Sequence, residues 1–142
     1  MSATLYAESS AVLAWLLGEP DGQPVAAALR EARAVVASDL TPLECERALI
    51  RAWATGLISE AERADQSAAL AAVASHWTVL RVDEEVIVRA RRPFPIEPVR
   101  TLDALHLASA LVARSAVPGL QLLSLDQRVR ENGARLGFDT VP

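Results

Sequence analysis

Residues 4–12 read Thr-Leu-Tyr-Ala-Glu-Ser-Ser-Ala-Val. A short apolar run stops at an acid and two hydroxyls, and an apolar pattern at helical spacing begins at once. That reads as a strand turning directly into a helix, the first half of a βα unit. The same order recurs down the chain. Strands are expected at residues 4–7, 34–37, 77–82, 120–125 and 138–141, and helices at 10–17, 24–32, 41–55, 59–74, 83–91, 101–115 and 126–132. Parallel neighbours need long crossovers, which the intervening helices supply, so the pattern predicts an α/β fold with a mostly parallel sheet covered on both faces. In open sheets of this type ligands bind beyond the carboxyl ends of the strands. Glu8 falls at such an end, and Glu44, Asp103 and Asp126 each arrive just before or inside a helix. The expectation is that these four carboxylates meet.

The ends of the helices carry their own signals. Thr41-Pro42-Leu43-Glu44 has a hydroxyl, a proline suited to the first helical position and a glutamate three residues after the hydroxyl, and Gly56 stops the helix. Ser59 opens the next helix. Pro93, Pro95 and Pro98 prevent regular structure before Thr101. With 142 residues, 51% of them hydrophobic, the chain has enough apolar surface for one domain with a real core, taken as residues 1–142. No apolar run approaches the roughly 20 residues that cross a bilayer. The N-terminus lacks the pattern of a signal peptide, and Cys45 has no partner for an internal disulfide, so a cytoplasmic protein is expected.

Charge narrows the chemistry. The net charge is −4, so nucleic acid cannot be held by general positive charge and any contact must be local or assisted by cations. All 14 basic Lys and Arg positions are arginine, which removes P-loop and Schiff-base chemistry. His76 and His106 with one cysteine give no zinc spacing. His76 reads as a surface residue, His106 as core with a possible place beside the site, and Cys45 as a small core residue. Taken singly, Asp21, Glu60 and Asp83 are helix caps or dipole partners. Glu44 alone would be a capping-box glutamate and Asp126 a helix cap. Asp103 differs, because the helix after it is apolar almost all round and therefore buried. A carboxylate there needs a partner, Arg100, or a cation. Four acids without cysteine or histidine ligands point to a hard ion, Mg²⁺ or Mn²⁺, and to phosphodiester hydrolysis. Ser10 starts a helix beside Glu8 and is positioned to bond water or phosphate, and Arg89, Arg91, Arg92 and Arg100 surround the proline loop that leads to Asp103, where RNA backbone could bind.

These stretches resemble a known family. Tyr6-Ala7-Glu8-Ser9-Ser10-Ala11-Val12, Leu40-Thr41-Pro42-Leu43-Glu44, Arg100-Thr101-Leu102-Asp103-Ala104-Leu105-His106-Leu107-Ala108 and Ser124-Leu125-Asp126-Gln127-Arg128-Val129 are similar to the four acid-bearing segments of PIN domains, in particular the VapC-type ribonuclease toxins of toxin–antitoxin pairs. The resemblance implies an α/β/α sandwich with the first strand central. It implies a Mg²⁺- or Mn²⁺-dependent endoribonuclease with Glu8, Glu44, Asp103 and Asp126 as catalytic acids, Glu8, Asp103 and Asp126 among them holding the ion, and Ser10, Arg100 and Ser124 in support. A VapB-like antitoxin, an RNA substrate and a homodimer come with it. The first acid of the family is most often aspartate; the extra methylene of Glu8 is expected to move the carboxylate by roughly an ångström or more. The other reading is a PIN-like module that binds RNA or a partner without cutting.

Overall fold

The computed structural model describes residues 2–142. Five parallel strands, β1 (Thr4–Ala7), β2 (Ala34–Ser38), β3 (Thr78–Leu80), β4 (Gln121–Leu123) and β5 (Thr140–Val141), lie in the order β3-β2-β1-β4-β5. The first strand is central, as the resemblance implied, and the sheet is wholly rather than mostly parallel. Seven helices connect the strands: α1 (Ser9–Leu16), α2 (Gly22–Glu31), α3 (Leu40–Ala54), α4 (Glu60–Ala74), α5 (Glu84–Ala90), α6 (Thr101–Ala116) and α7 (Gln127–Arg135).

Strand side chains alternate between faces, and here both faces are covered. Leu5 and Ala7 of β1, Val35 of β2 and Leu123 of β4 pack with Val12, Val25, Leu49 and Leu70 from α1 to α4. Their neighbours Tyr6, Val36 and Leu122 pack on the opposite face with Leu107 and Ala110 of α6 and Val129 of α7. Helices α1 to α4 thus form one outer layer, and the later helices the other. The chain moves outward from β1 through β2 to β3, then returns across the sheet by α5 and α6 to β4 on the other side of β1. The strand order therefore reverses between β1 and β4, and the crevice outside their carboxyl ends is where an open sheet offers a binding site.

Local details depart from the sequence expectation for identifiable reasons. Helix α3 begins at Leu40, before Thr41, and its cap position, Asp39, makes no side-chain cap. The Thr41 hydroxyl instead donates to the carbonyl of Ala7 at 2.7 Å, tying α3 to the end of β1. Glu44 is consequently free of a capping box, whereas Ser59 and Glu62 form one at α4. Strand β4 ends at Leu123, not at 125, because the backbone N–H groups of Leu125 and Asp126 turn to the Ser10 hydroxyl. Edge strand β3 covers three residues where six were expected, and α7 runs on to Arg135. Gly22 is required at the start of α2: a Cβ there would lie 2.5 Å from the carbonyl oxygen of Ala14.

Candidate active site

Glu8 ends β1 and caps α1. It is buried, and its carboxylate is well supplied with donors: the Ser10 backbone N–H at 2.8 Å on one oxygen, and the Ser10 and Ser124 hydroxyls, each at 2.5 Å, on the other. Ser10 then accepts the backbone N–H groups of Leu125 and Asp126 at 3.0 and 3.1 Å. One serine therefore fastens the loop after β4 to the loop after β1, a fixed bridge across the point of strand reversal. Helix α1 begins at Ser9, one residue before Ser10, so the cap position and the cap itself fall to Glu8.

Asp126 caps α7 through one oxygen, which accepts the Val129 N–H at 2.9 Å. The cap that the sequence allowed is real, and the second oxygen of Asp126 carries no hydrogen bond among the described residues. Asp103 lies in the first turn of α6, half-buried. No ion pair links it to Arg100, and neither of its oxygens accepts a hydrogen bond among the described residues. Burial pushes its carboxyl up to about 6, and the charges of Asp126, Glu8 and Glu44 push the same way. Asp103 thus feels the charge of acids from three other segments. Asp103 and Asp126 line a cleft of about 480 Å³ with Arg100 and Arg128; Glu8 and Glu44 do not line it.

Glu44, in the second turn of α3, is reached through α6. His106 is one turn beyond Asp103 and only 1% exposed. Its Nε2 lies 2.5 Å from Glu44 Oε1 and 3.0 Å from Ser9 Oγ, and the Ser9 hydroxyl donates to the same Glu44 oxygen at 2.8 Å. Desolvation would raise the Glu44 carboxyl, but the His106 hydrogen bond and charge with the Ser9 hydroxyl outweigh it, and the group is held below its ordinary value. On its other side the His106 Nδ1 is 2.9 Å from the Tyr6 hydroxyl.

The sequence treated His106 chiefly as core and gave Tyr6 and Arg128 no role of their own. The signal for His106 was its place one turn after Asp103 in an otherwise apolar helix. Arg128 had none, since its entry to the cleft depends on where α7 docks. Arg89 and Arg92 are not brought into the cleft. They border a separate groove between α5 and α6, with Arg89 stacked 4.4 Å from the centre of the Phe94 ring. Arg91, also expected at the site, is exposed at the end of α5. Cys45 is buried core as expected, and burial with the nearby acids pushes its thiol up to about 12.

The donor chemistry suits a hard divalent cation: carboxylate oxygens that repel each other, two of them on Asp103 and one on Asp126 without a protein donor, and no thiolate in play. Among the described residues no three His, Cys, Asp or Glu side chains are grouped so as to hold a metal ion.

A parallel sheet sandwiched between helices, with an acidic cleft at its point of strand reversal, defines the class. Comparison with known proteins then narrows it. The PIN domain family model matches residues 5–134. Ribonuclease VapC46 of Mycobacterium tuberculosis is 34% identical over 139 residues, 98% of this chain and 97% of that protein. In fold, the chain is similar to a toxin–antitoxin complex from Klebsiella pneumoniae (TM-score 0.63, 16% identity, 98% of this chain and 96% of that one) and to PAE2754 from Pyrobaculum aerophilum (TM-score 0.61, 20% identity, 99% and 84%). The chain belongs to the PIN domain family.

Proposed function

We propose that the chain is a Mg²⁺- or Mn²⁺-dependent endoribonuclease and acts as the toxin of a toxin–antitoxin pair. The observation that carries this reading is the state of Asp103, an acid without a protein partner whose carboxyl is raised by burial and by three neighbouring carboxylates. A ribonuclease as the 34% identical relative supports the reaction, and a toxin–antitoxin complex among the proteins of similar fold agrees with the biological setting.

Asp103, Asp126 and Glu8 would hold the ion. A divalent cation so held supplies positive charge at the scissile phosphate and makes an attacking water more acidic. The chain's own groups do the rest. Glu44, kept ionised by His106 and Ser9, accepts a hydrogen bond from water and orients it. Arg100 and Arg128 flank the two aspartates and hold the phosphate backbone without reading sequence. Ser10 and Ser124 fix Glu8 and the Asp126 loop in register. The partner is a VapB-like antitoxin with an arginine that enters the acidic cleft and forms charge-assisted bonds to the carboxylates. The exposed Leu43, Trp53 and Leu57 of α3 and the turn after it offer apolar surface for the rest of its tail. A second copy of the chain as partner, and action on cellular RNA in the cytoplasm, complete the reading.

RNA cleavage assayed with Mn²⁺, with Mg²⁺ and with chelator, beside thermal melting under the same conditions, tests it. Cleavage that needs the metal and disappears in Asp103→Asn is expected, with a melting rise equivalent to about 2.7 kcal/mol at 100 times the metal's dissociation constant. Metal binding without cleavage would favour the RNA- or partner-binding module, and absence of both would overturn the metal site.

A further inference from the structure

Behind the cleft runs a buried chain of polar groups that ends on Glu44. Ser38 at the end of β2, Tyr6 in β1 and His106 in α6 are all fully or almost fully buried. The Tyr6 hydroxyl donates to Ser38 Oγ at 3.1 Å and lies 2.9 Å from His106 Nδ1, and His106 Nε2 meets Ser9 and Glu44. Groups from β1, α1 and α3 thus meet on one imidazole. Buried polar groups are almost always paired, and the contact with Glu44 fixes one proton position.

The argument begins at Glu44. With the carboxylate ionised, two acceptors cannot face each other, so the proton of that contact is on Nε2. That N–H is a donor aimed at Glu44, and the Tyr6 hydroxyl beside Nδ1 holds the other edge of the ring. Both donors to Glu44, Nε2–H and the Ser9 hydroxyl, go to Oε1. Oε2 carries none among the described residues and is left for the substrate side.

We infer that His106 is a positioning residue for Glu44: protonated at Nε2, it clamps one carboxylate oxygen and leaves the other to orient the attacking water. The kinetic part rests on the nuclease reading; the hydrogen-bond part does not.

Two measurements test it. Long-range ¹H–¹⁵N NMR of the metal-free protein at about pH 8, above the ordinary imidazole pKa, reads whether His106 Nε2 carries a proton. A protonated Nε2 is expected. An Nε2 without a proton, or one that averages equally with Nδ1, overturns the inference. In cleavage assays on variants shown by melting to be folded, His106→Ala should lower kcat about 10- to 100-fold, the loss of one hydrogen bond to a charged group, with little change in KM. The amide nitrogen of His106→Gln extends to the Nε2 position and should restore much of the rate, whereas that of His106→Asn reaches only the Nδ1 position and should not. A folded His106→Ala with unchanged kcat, or equal rates for the Gln and Asn variants, refutes the positioning role. If the wild type cleaves no RNA with either metal, the nuclease reading fails, and the NMR result still decides whether His106 holds Glu44.

Discussion

Replacing Asp103 with asparagine keeps the shape and removes one charge from a crowded site, so the variant should be more stable than the wild type in the absence of metal. The Asp103 carboxyl is raised from 3.8 to about 6. At about 1.36 kcal/mol for each tenfold step in proton affinity the full shift corresponds to about 3 kcal/mol. The side chain is only half-buried and solvent screens part of the repulsion, so about 1–2 kcal/mol is expected. The sign follows from linkage. Below about pH 4 Asp103 is protonated in both folded and unfolded chains and the penalty is absent. As pH rises through about 6 the folded protein must ionise it in a partly buried place and against its neighbours, and that stability is lost. The advantage of Asp103→Asn should therefore be near zero at pH 4 and complete by pH 7, a rise of roughly 3–7 °C in Tm for a domain of this size. Chelator-treated protein melted across that pH range, by circular dichroism, gives the measurement. Adding Mn²⁺ should shrink or reverse the difference, since only the wild type gains a full ligand set. A variant less stable than the wild type at pH 7 without metal would refute the reasoning and make Asp103 a structural anchor; a constant difference at every pH would deny that its ionisation is the cause.

Other variants probe separate links of the argument. Ser10→Ala removes the hydroxyl that serves Glu8, Leu125 N–H and Asp126 N–H together; urea titration should show a loss of about 1–3 kcal/mol, chiefly from the Leu125 N–H left unpaired, since the Asp126 N–H keeps the Ser124 hydroxyl. Arg128→Ala should raise KM for RNA several-fold while kcat holds, and the salt dependence of binding should flatten by about one phosphate contact; an unchanged salt slope would remove Arg128 from the RNA path. Gly22→Ala places a methyl against backbone of α1 rather than against a flexible side chain, so denaturant melts should show about 1–3 kcal/mol of destabilisation.

The alternation of β-branched runs with helix starts was enough to give a parallel α/β sheet, because parallel strands cannot be joined without crossovers and each crossover leaves a readable cap or stop. The four acids were legible for a related reason: strand ends and helix starts are marked locally, and Glu8 and Asp126 lie at them. Which strands are neighbours is not written locally. The adjacency of β1 and β4, which sets Glu8 beside Asp126 through Ser10, is a pairing between residues more than a hundred positions apart. The same holds for the groups that the sequence undervalued. Thr41 looked like a cap and serves as a tether to Ala7, and Arg128 reaches the cleft while Arg89 is drawn aside to Phe94. His106 looked like core, and it is core, at 1% exposed. Its role depends on Tyr6, Ser9 and Glu44 arriving from β1, α1 and α3. Local propensity reports where the chain turns, but a buried hydrogen bond needs both partners, and only the packing of the sheet against α6 and α3 brings them together.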